Sequence, residues 1–458
     1  MNVMNNDNSP QGFISGREAA LKALVKIEKS DSYANLALPT YKKKVPPEQR
    51  GFTTHLVYGT LQRLNTLDWV IGLYSNRPLT SLTPHIRNLL RISVYQLIFM
   101  HNIPSPVAVD QAVNLSYRYG HKGVARLVNA ILRKIVSEKE VFPWPDLQED
   151  PLTYISLVYS FPEWLVERWI NRFGEEETRH LCEAYNHIPP LVIRVNCLRS
   201  SRDGLREILE REGVKTELIE DLPEALRVFP EPSISLTELQ SYQQGNFTIQ
   251  GEASIFCAKL LNPKPEEEII DLCSAPGGKA THLGELMNNK GVIKAGDFNS
   301  SRLRLVEKAA QRLGIDIINT HVWDGREIYK FEKEVDGVLC DAPCSGLGVI
   351  NRKPDLKWAK HIEQIEQLSQ LQSQLLYSAA RVVKTGGNLL YCVCSNEPEE
   401  TYGVVDQFLE DFPQFAMAKI PLGLEKCSFG SCREGILEFY PHKHGREGFF
   451  MALLKRKK

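Results

Sequence analysis

A chain of 458 residues, 43% hydrophobic and 24% charged, has room for about three domains and the balance of an ordinary soluble globular protein. No apolar run approaches the ~18 residues of a membrane helix. The opening MNVMNNDNSPQG has neither the basic region nor the apolar core of an export signal, so a cytoplasmic protein with no membrane partner is expected. The formal net charge of −1 hides an asymmetry: residues 1–140 hold 18 Lys+Arg against 9 Asp+Glu, and the remainder 37 against 47. A basic module joined to an acidic one suits an anionic partner, most simply nucleic acid, although a solvated surface would show the same charge. Ten cysteines in a reducing compartment point to free thiols. No C-x-x-C pair and no His/Cys cluster with zinc spacing occurs, so no metal is expected.

Residues 1–15 read as a disordered lead-in. Helical spacing begins over 16–30, where Ala20, Leu24 and Ile27, flanked by Ala19 and Ala23, share a face opposite the lysines. Further helices are predicted at 49–64, 67–74, 84–100, 107–119 and 124–136, with Pro104 and Pro106 breaking the chain before Val107. In the last of these, Leu127, Ile131 and Ile135 form a stripe, with Arg126, Arg133 and Lys134 elsewhere. Residues 16–140 thus form an all-α basic domain. FPWPDLQEDP, with its prolines and acids, predicts a linker over 141–155. From 156 to 245 the pattern is mixed: one or two helices within 162–185, a strand at 191–197, a helix at 205–211 and a strand at 225–229. This is a small α+β module.

From 246 to 458 strands and helices alternate, which signals a doubly wound α/β sheet. Strands are predicted at 268–273, 291–296, 317–320, 335–340 and 388–393, with the longest helix at 362–383. The end reads as an antiparallel hairpin, with strands near 436–440 and 448–454. VDGVLCDAPCSG is an apolar run that ends in Asp341, Ala342, Pro343 and Cys344, while NLLYCVCS ends in Cys394. Ligands in such sheets sit beyond the carboxyl ends of the strands. Neighbouring strands lie roughly 5 Å apart, so adjacent strands would bring Cys344 and Cys394 to one pocket. Cys392 turns the same way as Cys394 but lies deeper.

DLCSAPGGKATHL passes from strand to helix. Gly277 and Gly278 permit a tight turn and close backbone approach, and the helix start offers unpaired N–H groups. With neither GxGxxG nor a Walker pattern, a dinucleotide or nucleoside triphosphate is not favoured. Asp297 ends the second strand, where a carboxylate can take both ribose hydroxyls of a nucleoside or suit the start of the next helix.

DLCSAPGGK, DAPCSG and YCVCS resemble the motifs of the Nol/Nop/Sun family of S-adenosylmethionine-dependent RNA cytosine carbon-5 methyltransferases. RGFTTHLVYGTLQR, RISVYQLIFMHNIPSPVAVDQAV and LVNAILRK are similar to NusB, a pairing that resembles the branch acting on small-subunit (16S) ribosomal RNA. The resemblance covers nearly the whole chain. It implies a multidomain fold: a NusB-like helical RNA-binding domain, a small α+β RNA-contacting module, and a Rossmann-like class I methyltransferase sheet opened by FTIQGEAS and extended by the C-terminal hairpin. It also implies that Cys273, Ser274, Ala275, Pro276, Gly277, Gly278 and Lys279 hold S-adenosylmethionine, with Asp297, Asp324 at the adenine end and Asp341. Lys279 and Asp341 could instead meet the base. Cys394 would attack carbon-6 of the base, and Cys344 would serve the elimination that releases it.

Val393 stands where the family has Thr, which removes a hydroxyl from the site. Arg194 and Asn196 match a family Arg-x-Asn element and either touch RNA or satisfy backbone at a strand edge. KPDLKW (353–358) offers cations and an aromatic to single-stranded RNA, or forms a solvated loop against a packed Trp. Ribosomal RNA is the implied partner; a transfer-RNA substrate and a non-catalytic RNA-binding assembly factor are the other readings. No oligomer is implied.

Overall fold

The computed structural model describes residues 13–30, 32–139, 141–231, 234–330, 333–424 and 433–458. Most of the expected lead-in lies outside them. The chain divides into two compact units, one of residues 1–187 with 350–359, the other of 188–349 with 360–458.

The first unit is helical: α1 (Gly16–Ser30), α2 (Ala34–Lys42), α3 (Arg50–Gln62), α4 (Leu64–Tyr74), α5 (Pro84–Phe99), α6 (Ser105–Tyr119), α7 (Lys122–Glu138), α8 (Pro151–Val158), α9 (Glu163–Phe173) and α10 (Glu175–Asn186). α5 starts where Thr83 accepts from Ile86 N and Pro84 takes the first position, and it buries Leu89, Leu90, Val94 and Leu97. Gly59 of α3 lies against Tyr95 so closely that a Cβ there would stand 2.1 Å from the ring. Only glycine fits.

α2 has no counterpart among the predicted helices. α8 begins inside the stretch expected as a linker: Asp150 caps it by accepting from Thr153 N, and Pro151 is its first residue. Here proline starts a helix rather than breaking one. The preceding FPWP is also held down, with Phe142 buried in the helical core and Trp144 stacked on Trp69 at 4.4 Å.

The segment 350–359 corrects a second expectation. Lys357 is wholly buried, donating to Gln62 O at 2.8 Å with its ammonium 3.9 Å from the Phe161 ring centroid. Trp358 Nε1 donates to Leu61 O at 2.6 Å. Both cap the carbonyl end of α3, where a cation is favourable. Burial, and secondarily Arg63, push the Lys357 ammonium well below its ordinary pKa. These two side chains serve packing, so of the cations and aromatic in KPDLKW only Lys353 stays exposed.

The second unit holds two sheets. The smaller is antiparallel in the order β2-β3-β1-β4, from β1 (Leu191–Val195), β2 (Val214–Leu218), β3 (Ala225–Pro230) and β4 (Phe247–Ile249), with α11 (Arg202–Arg211) between β1 and β2. β2 escapes the sequence pattern because only its first residue is buried. The larger sheet runs β10-β12-β9-β8-β5-β6-β7, with β11 on β12. Its parallel strands are β5 (Glu268–Asp271), β6 (Val292–Asp297), β7 (Ile318–Val322), β8 (Val335–Asp341) and β9 (Val383–Val393). Helices α12 (Glu252–Leu261), α13 (Gly278–Leu286), α14 (Ser300–Leu313) and α15 (Ile362–Ala380) accompany them. The hairpin strands β11 (Ile436–Phe439) and β12 (Phe449–Arg456) pair antiparallel, and β12 continues onto β9. A short β10 (Phe415–Met417), not expected from sequence, pairs with the end of β12.

α15 ends three residues before its predicted limit, because β-branched Val383 opens β9 opposite Val335. Side chains alternate across the sheet. Leu339, Leu390 and Cys392 pack on one face with α12, while Val338, Cys340, Leu389, Tyr391 and Val393 pack on the other with α15. From β5 the chain builds outward through β6 and β7, then returns to lay β8 and β9 on the other side. This topological switch opens a crevice at the carboxyl ends of β5 and β8.

Candidate active site

β5 leaves the sheet at Asp271, and the chain turns through Leu272, Cys273, Ser274, Ala275 and Pro276 into α13. The turn is pinned by backbone bonds: Leu272 N to Leu339 O, Ser274 N to Gly296 O and Gly277 N to Ser274 O. Gly277 has φ +103°, and a Cβ there would lie 2.9 Å from Val306 Cα. No other residue suits that position. Arg302 Nη2 reaches back to Ala275 O at 2.9 Å.

The crevice is lined by carboxylates from successive strand ends. Asp341 ends β8 and pairs with Lys279 Nζ at 2.5 Å. Burial pushes the Lys279 ammonium down, but the charge and hydrogen bond of Asp341 together with the thiols of Cys257 and Cys392 outweigh it and hold its pKa well above the ordinary value. Asp297 ends β6, buried, with Oδ1 accepting from Asn299 N at 2.9 Å and Oδ2 3.4 Å from Arg302 Nη1. Asp324 follows β7 and is gripped by Arg326, which lowers its carboxyl pKa. The turn, Lys279, Asp297, Asp324 and Asp341 therefore all lie along one edge of the sheet.

β8 and β9 pair in register, Cys340 with Tyr391 and Asp341 with Cys392, which places their ends side by side. Just beyond, Cys344 Sγ and Cys394 Sγ are 3.3 Å apart. The hydrogen bond to Cys394, then burial, raise the Cys344 thiol well above its usual pKa, with the charges of Glu400 and Asp341 adding to both. Cys392 lies deeper on the same face, its Sγ 3.5 Å from Asp341 Oδ1. Val393 points to the face opposite Cys392 and Cys394, among Cys340 and Tyr391 in the cluster against which Cys344 also packs. The loop after Cys344 is laced to the second strand by Gly348 N, which donates to Cys394 O.

Arg194 and Asn196 do not reach the surface. Arg194 is 0% exposed and bonds to both Glu285 oxygens, Gly278 O and Thr281 Oγ1; Asn196 Nδ2 spans Gly245 O and Leu313 O. The RNA-contact alternative for both is withdrawn. In turn, the sequence reading passed over Asp271. It is wholly buried, and burial together with the Asp341 charge lifts its pKa to about 7. Among the described residues neither of its oxygens nor Ser274 Oγ makes a hydrogen bond of normal geometry, although the nearby Ser274 hydroxyl acts to lower the Asp271 pKa. A carboxylate closing the apolar EIID just before CSAPGGK was the signal for it.

Those orphaned acceptors at a glycine turn suit a ligand with ammonium and hydroxyl donors, as an amino-acid-bearing nucleoside has. A parallel sheet with such a turn at its switch point and carboxylates at the next strand ends defines a Rossmann-like class I methyltransferase. Comparison with known proteins agrees. Residues 258–455 match the family described as 16S rRNA methyltransferase RsmB/F, residues 15–137 match the NusB family, and 161–234 match the ferredoxin-like domain of RsmF/B-like methyltransferases. Probable ribosomal RNA small subunit methyltransferase B of Bacillus subtilis is 36% identical over 97% of this chain and 99% of its own length. Its Synechocystis counterpart is 35% identical over 97% and 100%. Among solved structures, PH0851 superposes with TM-score 0.81 at 31% identity, covering 96% of this chain and 98% of that one. NSun6 from Pyrococcus horikoshii with SFG, an S-adenosylmethionine analogue, gives 0.59 at 26%, covering 66% and 100%.

The chain belongs to the RsmB/F methyltransferase family. It is an enzyme that methylates RNA, with S-adenosylmethionine as methyl donor.

Proposed function

We propose that this protein methylates carbon-5 of a cytosine in small-subunit (16S) ribosomal RNA in the cytoplasm, through a covalent cysteine adduct. The pair Cys344 and Cys394, two thiols 3.3 Å apart at neighbouring strand ends beside Lys279 and Asp341, carries the reading. Methylation of an exocyclic amine would need no such pair.

Residues 273–279 and Asp271 hold the amino-acid end of the cofactor, Asp297 the ribose and Asp324 the adenine end. S-adenosylmethionine supplies an electrophilic methyl group. The target base is unpaired or extruded to reach the crevice. Carbon-5 of cytosine is a poor nucleophile until the Cys394 thiolate adds to carbon-6, which leaves an enamine whose electron pair carbon-5 uses to accept the methyl. The carbon-5 proton must then leave as the carbon-6–sulfur bond breaks, restoring the aromatic ring and the thiolate. Cys344 serves that step. The largest cause of its raised pKa is Cys394 itself. Once Cys394 is a thioether that cause is gone, while burial and the charges of Glu400 and Asp341 remain; Cys344, after losing its own proton to solvent, takes the carbon-5 proton as a thiolate and ends the step as a thiol.

The basic helices contribute affinity for the RNA backbone. Bisulfite sequencing of RNA from cells with and without the gene tests the proposal: one 16S cytosine should lose its protection in the deletion. Loss confined to transfer RNA, or no change, would contradict it.

A further inference from the structure

Ser345 and Ser395 each follow one of the two cysteines, and a single carboxylate holds both. Glu400, wholly buried shortly after β9, accepts from Ser345 N at 2.7 Å through Oε1, and from the hydroxyls of Ser345 and Ser395 through Oε2. The hydroxyls stand 3.2 Å apart. Gln372 of α15 donates to Glu400 Oε1 at 3.0 Å and to the carbonyl of Pro343, the residue before Cys344, at 2.9 Å. Tyr391 OH lies 2.6 Å from Glu400 O and 3.0 Å from Gln372 Oε1. Every donor to this carboxylate sits on or against the residues that flank the thiols. Burying a carboxylate with hydrogen bonds as its compensation is unfavourable for packing alone, where a neutral side chain would serve.

We propose that Glu400 is a positioning residue for methyl transfer: by gripping Ser345 and Ser395 together it sets the separation and aim of Cys344 and Cys394. The effect on rate rests on the two-thiol chemistry above, whereas the effect on thiol geometry does not. Misplacing a reacting group by an ångström is enough to slow a reaction about 100-fold.

The test compares Glu400→Gln and Glu400→Asp with the unaltered full chain. Glutamine keeps the volume but replaces one acceptor oxygen with a donor, so it cannot hold the same bonds. The expected result is a fall in kcat of ~10-fold or more, with KM for RNA and S-adenosylmethionine affinity within about twofold. Iodoacetamide labelling, read cysteine by cysteine by mass spectrometry, should change several-fold at Cys344 and Cys394 but not at buried Cys182 and Cys257. Glu400→Asp, which keeps the charge, should recover part of both effects. Unchanged labelling and kcat would overturn the proposal, as would a rise in labelling at every cysteine, which is general loosening. Should Glu400→Gln fail to fold, Ser345→Ala and Ser395→Ala each remove one grip and should alter labelling of the adjoining cysteine; no change in either would overturn it too. If Cys394→Ala remains active while Glu400→Gln still shifts labelling, the positioning stands and the thiol chemistry falls.

Discussion

Arg194 joins the small sheet to the first turn of the cofactor helix, and its removal has a calculable consequence. The guanidinium is 0% exposed and bonds to Glu285 at 2.8 and 3.0 Å, to Gly278 O at 2.8 Å and to Thr281 Oγ1 at 3.1 Å. Burial already holds the Glu285 carboxyl above its ordinary pKa despite this partner. Arg194→Met leaves that carboxylate buried without its cation, a loss of about 3–5 kcal/mol. Removing both charges, as Arg194→Met with Glu285→Met, should recover most of it, because an apolar pair of similar volume needs no compensation. Calorimetric melting of the four proteins of this cycle gives the coupling energy. S-adenosylmethionine affinity should fall in the single variant, since Gly278 begins the helix that follows the cofactor turn. RNA affinity measured without cofactor should not change. Single variants that each lose less than about 1 kcal/mol, and that add in the double, would refute the reasoning.

Other perturbations separate site from scaffold. Asp297→Ala should weaken S-adenosylmethionine binding about tenfold or more by calorimetry, with melting little changed; unchanged affinity would leave Asp297 only its bond to Asn299 N. Asp271, with a pKa of about 7 when folded, binds more protons folded than unfolded between about pH 4 and 7, so its contribution to stability falls as pH rises through that window. Without cofactor, the melting advantage of Asp271→Asn over the unaltered chain should therefore grow from pH 4 to pH 7 and then level off. Lys357 is displaced the other way: its folded pKa is depressed, so stability rises with pH from that value towards the unfolded ~10.4, and Lys357→Met should abolish the rise in pH-dependent melts.

The parallel strands and both cysteine motifs were legible because each is a short apolar run closed by a turn signal, which local pattern alone reveals. The meeting of Cys344 and Cys394 follows from the two motifs closing neighbouring strands, β8 and β9. Partners distant in sequence were not legible. Arg194 looked available to RNA because nothing local shows that Glu285, 91 residues on, neutralises it. Lys357 and Trp358 looked like a nucleic-acid contact because their acceptors, Gln62 O and Leu61 O, belong to a helix some 295 residues earlier. Pro151 reads as linker within the proline-rich, acidic FPWPDLQEDP, and its cap by Asp150 is what makes it a helix start. Glu400 escaped because its donors converge from β9, α15 and the loop after β8, a convergence only the folded sheet creates.

The central claim is the division of labour between the two thiols, and covalent trapping tests it most directly. Cys344→Ala, incubated with S-adenosylmethionine and substrate RNA, should accumulate protein joined to RNA, seen as a slower band on a denaturing gel and removed by ribonuclease. Cys394→Ala should be inactive and form no such band. A band from Cys394→Ala instead would exchange the two roles, and methylated RNA from both variants with a band from neither would contradict the thiol mechanism.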